Sequence, residues 1–429
     1  MINRLSKKSL LWVIISLALL GVLFFFVLKS SDPALIYVAP QKPNLFWPVQ
    51  SIDTMKLSRD LAREKLRDPA FDAVIERQMR NAEDLGATYI AISTPYDKEF
   101  IPILRRWVAS ARLHQLRVWF RGNFSGWEGW FGYPKIVRGK HLELTKEFIL
   151  SNPDLFKNGD VFTSCPECEN GGPGDPRFTG DVDGHRKFLI SERAAASDAF
   201  GKIGRSVITN YFSMNADVAR LVMDTETTKA LGGIVAIDHY VKSPEDLAAD
   251  IDAIARGSGG KIILGEFGVP IPDINGFLSR EAQAKWIRDA LARLIKSKDL
   301  VGLNYWVGEG GTTEIWSSAG LKPGADELRA YYKPRFVHGF IKDEIDRPIR
   351  DANIKTAYRE TVSESNGYFE IPYIENADKD ISVSAHGFVD VVWPIESRGE
   401  RLEITLSHIN KGFWFRVLEF VHRTVSSVK

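Results

Sequence analysis

Between Phe46 and Trp306, short apolar runs alternate with helix-length amphipathic stretches, and the alternation repeats eight times. No other feature restricts the possible folds as strongly, because strand and helix patterns in strict alternation are the mark of a parallel α/β sheet. The apolar runs predict strands over Phe46–Ile52, Thr88–Ser93, Leu116–Arg121, Asp160–Ser164, Ser206–Tyr211, Ile234–His239, Lys261–Glu266 and Val301–Trp306. Helices are expected over Pro69–Leu85, Lys98–His114, Leu142–Leu150, Gly184–Ile203, Pro244–Arg256 and Ser279–Lys296, several opened by Pro or stopped at Gly. The connection through Ala216–Ala230 is the least regular. Eight such units match the length and count of a (β/α)8 TIM barrel. The competing fold, an open doubly wound sheet, usually carries a Gly-rich phosphate loop after its first strand, and none is present.

A barrel places functional groups at the C-terminal ends of its strands. Those ends carry Asp53 and Lys56, Arg121 and Asn123, then Glu167, Glu169 and Asn170 after the fourth strand. They continue with Asn210 and Tyr211, then Asp238, His239 and Tyr240, then Glu266, and finally Asn304 and Trp306. Glu266 stands out, since KIILGEFGVP (residues 261–270) sets a carboxylate at the end of a continuously apolar strand, flanked by Gly265 and Gly268. A buried acid is costly unless it is paired or used.

With acids after the fourth and seventh strands, the stretch from Phe46 to about Tyr332 resembles the large clan of retaining (β/α)8 glycoside hydrolases. The resemblance implies that Glu266 is the nucleophile and that Glu167 or Glu169 is the acid/base, with Glu167 preferred because it lies nearer its strand. Where the clan usually has Asn-Glu, this chain has Pro166-Glu167. The clan commonly lines its sugar subsite with groups after the sixth and eighth strands, where His239, Tyr240 and Trp306 stand. Arg121 and Tyr240 are donors suited to hold a nucleophile ionised. Asn123, Asn170 and Asn210 join the expected substrate-binding set. The loop NFSGWEGWFGY (residues 123–133) offers Trp127 and Trp130 as a cleft wall, with Tyr133 and Trp316 as further candidates. Neither cofactor nor metal is expected. The rival reading is a non-catalytic glycan-binding or scaffold barrel, since a fold does not fix an activity.

Outside the barrel, Leu10–Leu28 is a charge-free apolar run long enough to cross a bilayer, preceded by Arg4, Lys7 and Lys8. It predicts a single-pass anchor with a cytoplasmic N-terminus over residues 1–29, a linker over 30–44, and an extracytoplasmic barrel over 45–333. A cleaved signal peptide is the alternative. Formal net charge is +1, and nothing in the composition suggests a nucleic-acid partner. The envisaged partners are an oligosaccharide or polysaccharide and the membrane. Cys165 and Cys168 form CPEC, expected as a local disulfide or two free thiols.

From Phe336 the pattern changes to short alternating strands. Gly339, Asp343, Pro348, Ala352, Gly367-Tyr368-Phe369 and Gly387-Phe388 resemble the turns and core aromatics of carboxypeptidase regulatory-like β-sandwich modules, giving a second domain over 334–410. In the closing segment, 411–429, one helical face collects Trp414, Val417, Leu418 and Val421, with Arg416 and Arg423 elsewhere. That face suits a membrane surface or packing against the sandwich.

Overall fold

The structure is a computed structural model that describes residues 45–374, 377–395, 401–413 and 415–419. The expected anchor and linker, and Trp414, Val421 and Arg423 of the closing segment, lie outside the described residues. Among the described residues no helix is long and apolar enough to cross a membrane.

Eight parallel strands form the central sheet: β1 (Val49–Asp53), β2 (Tyr89–Ile92), β3 (Arg117–Phe120), β4 (Val161–Phe162), β5 (Ser213–Asn215), β6 (Ile234–Asp238), β7 (Lys261–Phe267) and β8 (Leu300–Tyr305). Their order is β4-β3-β2-β1-β8-β7-β6-β5. A parallel bridge from Val161 to Ile208 joins β4 to the chain just ahead of β5, and the Phe162 N–H donates to the Ile208 carbonyl at 2.8 Å. The ring is thereby closed, and no edge is left open to another chain.

The strands read as continuous apolar runs because both of their faces are covered. Inward residues Val49, Tyr89, Trp119, Val161, Ile208, Tyr211, Ile234 and Ile263 fill the barrel interior. Outward residues such as Ile52, Ile90, Val118, Val235 and Leu264 pack against the helices. These are α1 (Asp72–Asp84), α2 (Ile101–Leu113), α3 (Arg138–Ser151), α4 (Val182–Lys202), α5 (Ala216–Val222), α6 (Thr225–Ala230), α7 (Pro244–Ser258), α8 (Arg280–Leu294) and α9 (Pro323–Tyr332). The irregular connection anticipated at Ala216–Ala230 is the pair of short helices α5 and α6. Behind the barrel floor, Tyr332 donates its hydroxyl to the Ser51 carbonyl at 3.0 Å and accepts at its own carbonyl from Gln50 Nε2 at 2.8 Å.

One strand is placed differently from the expectation. The fifth was anticipated at Ser206–Tyr211, yet the paired segment is Ser213–Asn215. Ile208 and Tyr211 both point into the barrel interior, three residues apart, which a regular strand of period two cannot do. The chain therefore kinks before it re-enters the sheet, and the rim residue of this strand becomes Asn215.

After α9 the chain forms two small sheets. One has β12 (Tyr368–Tyr373), β9 (Arg335–Lys342) and β15 (Leu402–Thr405) in that order. The other has β11 (Glu360–Val362), β10 (Asn353–Lys355), β13 (Asp380–Ser384) and β14 (Val391–Pro394). Ile341, Ile354, Phe369, Ile371, Ile381, Val383 and Ile404 form the core between them. Gly367 takes φ +80°, and a Cβ there would lie 2.4 Å from the Ile341 carbonyl oxygen, so this turn requires glycine. In the closing segment Val417 and Leu418 are exposed, while Phe415 packs on His408 with centroids 4.2 Å apart.

Candidate active site

Arg121, at the end of β3, is the centre of the rim. Its Nη1 donates to Asp53 Oδ2 at 2.9 Å and to the Gly265 carbonyl at 2.8 Å. Its Nη2 donates to Ser213 Oγ at 2.9 Å and Asp238 Oδ2 at 3.0 Å, and lies 3.2 Å from Glu266 Oε1. The ends of β1, β5, β6 and β7 are thus tied to one guanidinium that is 2% exposed. Such a charge can be buried only because acids surround it. Asn304, from β8, completes the layer by donating to Asp53 Oδ2 at 3.1 Å and to the Gly265 carbonyl at 2.8 Å.

Glu266 belongs to this layer through Arg121, and its Oε2 accepts from the Tyr240 hydroxyl at 2.8 Å. The Tyr240 ring meets Trp306 edge-on at 6.0 Å, and the Trp306 indole N–H points to Met55 Sδ at 3.0 Å.

Glu167 and Glu266 both line a small cavity of about 20 Å³, together with Met55, Arg59, Ser93, Arg121, Glu128, Trp130 and Pro166. It sits in the loop after β4 with φ +46°, a left-handed conformation rare outside glycine. The backbone is held there by the disulfide Cys165–Cys168, which closes a ring around Pro166 and Glu167. Asn215 Nδ2 donates to Glu167 Oε1 at 3.3 Å, and Asn170 Nδ2 donates to Oε2 at 3.0 Å. Glu169 does not line the cavity. It is 1% exposed, and its Oε1 accepts from Asn215 N at 2.8 Å and Asn215 Nδ2 at 3.1 Å.

Burial pushes the Glu167 carboxyl up to about 8, helped by the nearby charges of Glu266 and Glu169 and opposed by Arg121. Burial and Asp238 push Glu266 up to about 8 as well, against the pull of Arg121 and the Tyr240 hydrogen bond. When the two share one proton it belongs on Glu167. Among the described residues only amides donate to Glu167, whereas Glu266 has a guanidinium and a phenol, which favour its ionised form more strongly.

Several expected contacts fall elsewhere. Trp127 is buried and stacks on Phe188 at 5.0 Å, with its indole N–H on the Cys168 carbonyl at 3.0 Å. It braces two rim loops and does not face the cleft, because an indole of that size gains more from burial than a loop gains from displaying it. Asn123 is fully buried. Its Oδ1 accepts from Phe124 N at 2.7 Å and meets His141 Nε2 at 3.0 Å, and its Nδ2 donates to Glu128 at 3.3 Å. Asn210 lies behind the rim, its Nδ2 3.4 Å from the Gly232 carbonyl, a consequence of the displaced fifth strand. His239 turns outward to Asp250 on α7 at 2.7 Å, since successive residues leaving a strand point to opposite sides. Trp316 is buried, with its N–H on Gln78 at 3.1 Å, and Tyr133 lines a separate surface groove with Glu99 and Phe148.

Several rim residues escaped the sequence, Met55 and Ser93 of the cavity lining among them. Ser213 and Asn215 were hidden by the misplaced strand, although Phe212-Ser213-Met214-Asn215 carries the alternation of a short strand. Arg59 stacks over Trp130 at 4.8 Å, and Glu128, a loop residue with no motif around it in the sequence, is raised to about 7 chiefly by burial.

No protein-family profile and no curated protein sequence matches the chain. Among solved structures, a β-glucuronidase from Bacteroides uniformis aligns at TM-score 0.47 and 10% identity over 85% of this chain, which spans 47% of that protein. A GH5_18 enzyme from Bifidobacterium longum, in complex with Manβ1-4GlcNAc, aligns at 0.48 and 15% identity, over 70% of this chain and 84% of the other. A GH113 β-1,4-mannanase aligns at 0.47 and 10% identity, over 68% and 100%. These likenesses are distant, and the function assigned below rests on the side chains of the rim.

Proposed function

We propose that this chain is a retaining glycoside hydrolase in which Glu266 attacks the anomeric carbon and Glu167 is the acid/base. The observation that carries this reading is one cavity at the C-terminal rim that holds both carboxyls, each in an environment suited to its part. Cleavage of a glycosidic bond passes through an oxocarbenium-like state, and two carboxyl groups divide the work. Glu167 gives its proton to the leaving oxygen while Glu266 Oε1 or Oε2 bonds to carbon. With Glu266 then esterified, its negative charge beside Glu167 is gone, the Glu167 carboxylate becomes the stable form, and it draws a proton from water for the second displacement. Arg121 and Tyr240 hold the attacking carboxylate ionised and oriented.

About 20 Å³ is far below the ~300 Å³ at which ligand pockets begin. A sugar therefore needs the lining to open, and Trp130, part of that lining beside Arg59, offers its face to a pyranose ring. The substrate in this reading is a β-linked glycan of the cell envelope or an exopolysaccharide. The barrel works outside the cytoplasm, tethered by Leu10–Leu28, and the Cys165–Cys168 disulfide suits an oxidising compartment.

The test uses aryl β-glycosides with good leaving groups. Glu266→Ala abolishes turnover, because no glycosyl-enzyme forms. Glu167→Ala still forms the intermediate and stalls, and azide, which needs no base, restores turnover and yields the β-glycosyl azide. Rescue in Glu169→Ala but not in Glu167→Ala reverses the assignment of the acid. Full activity in Glu266→Ala ends the mechanism.

A further inference from the structure

We propose that Glu169 and Asn215 are positioning residues for Glu167: Glu169 fixes which way the Asn215 amide points, and Asn215 in turn orients the Glu167 carboxyl. The proposal deepens the reading above and rests on its choice of Glu167 as the acid/base. The geometry is specific. Glu169 Oε1 accepts from the Asn215 backbone N–H at 2.8 Å and from Asn215 Nδ2 at 3.1 Å, and the same Nδ2 reaches Glu167 Oε1 at 3.3 Å. The amide nitrogen has two hydrogens, so it can serve both carboxyls at once. Were the amide turned over, its oxygen would face the Glu169 carboxylate, an acceptor facing an acceptor. Glu169 thus obliges Asn215 to present a donor to Glu167.

The parts come from separate elements. Glu167 and Glu169 lie in the loop after β4, and Asn215 ends β5. The Glu167 backbone N–H also donates to the Ser213 carbonyl at 2.8 Å, so the loop is registered on the same short strand that carries the amide. Glu169 is 1% exposed and does not line the cavity, so it acts on the acid/base only through its partner. A donor at Glu167 favours the ionised form that must activate water in the second displacement. Asn170 supplies the other donor from an exposed position, where water competes. Asn215 is therefore the more constrained of the two.

The experiment is a carboxyl titration of the full-length chain labelled with [δ-13C]glutamate, the Glu167 resonance being assigned by its loss in Glu167→Gln. Glu169→Gln and Glu169→Met both remove the charge at 169 and have similar size, but only glutamine keeps an oxygen for Asn215. The expected result is a Glu167 midpoint higher by roughly one pH unit in Glu169→Met than in Glu169→Gln, the scale of one hydrogen bond to a carboxylate. The difference should vanish when Asn215→Ala is added to both. Equal midpoints at the start, or a difference that survives Asn215→Ala, overturns the proposal. If Glu169→Met does not fold, Asn215→Ala alone decides: it must raise the Glu167 midpoint, and an unchanged midpoint refutes the clamp. Turnover plays no part in this measurement. A chain that cleaves no glycoside would sink the hydrolase reading, while the clamp would still be judged by the titration.

Discussion

Arg121 brings one positive charge into a layer where Asp53, Asp238 and Glu266 all lie within salt-bridge distance. One cation cannot neutralise three acids, so burial keeps all three carboxyls raised. Glu167, which lines the same cavity as Glu266, is raised to about 8, and this has a consequence for stability. A carboxyl that titrates near 4.3 in the unfolded chain and about 8 in the folded one holds a proton in the native state that the unfolded state has already released. Its contribution is fully present below the unfolded value and is lost as pH rises toward 8. Removing the titration with Glu167→Gln should therefore flatten the pH dependence. Between about pH 5 and 8 the wild type should lose on the order of 2 to 4 kcal/mol relative to the variant, a figure reduced for the partial exposure of Glu167. Thermal unfolding across that range checks the sign, and parallel curves for the two proteins would mean that Glu167 is ionised throughout.

At the scale of an element, the loop after β4 combines a strained residue with a covalent staple. Glu167 at φ +46° costs on the order of 1–3 kcal/mol for a residue with a Cβ. A disulfide closing so short a ring restricts the unfolded chain by about 2 kcal/mol. The two terms are of similar size, which explains why a side chain so constrained can persist at this position. Both sulfurs are buried, so the pair is a structural clasp. Cys165→Ser together with Cys168→Ser should lower unfolding stability by about 2 kcal/mol and reduce kcat without abolishing it, because Asn215 and Asn170 still hold the carboxyl. A folded double mutant with no turnover at all would show instead that the ring itself sets the geometry of the acid.

For the whole molecule, the β-sandwich meets the barrel on the side opposite the rim. Arg359 lies over the Phe46 ring at 5.0 Å and donates to the Phe46 carbonyl, just ahead of β1, and Lys296 lies over Tyr358 at 5.9 Å, just ahead of β8. Among the described residues, none of the sandwich lines the cavity that holds Glu167 and Glu266. If the apolar run Leu10–Leu28 anchors the chain, cell fractionation should recover the intact protein in the membrane, and protease added from outside should digest the barrel. Release of a shortened soluble form would favour a cleaved signal peptide.

The sequence by itself determined the barrel, because strands covered on both faces must be continuously apolar and the helices between them must be amphipathic. Those patterns are visible one residue at a time. It also placed Glu266 at the rim, at the end of an unbroken apolar run, and Tyr240, two residues after β6. The disulfide stood in the sequence only as one of two options for CPEC. Only the tertiary structure showed that Glu167 lines the cavity and Glu169 does not, since the turn that exposes one acid and buries the other depends on a left-handed residue inside a covalent ring. It alone revealed Asn215, because the fifth strand is three residues long and its alternation is too brief to read. Trp127 and Asn123 were misplaced for the same physical reason. A residue type suited to binding sugar is equally suited to burial beneath the site, and the choice between them is made by neighbours such as Phe188 and His141, more than ten residues away in the chain.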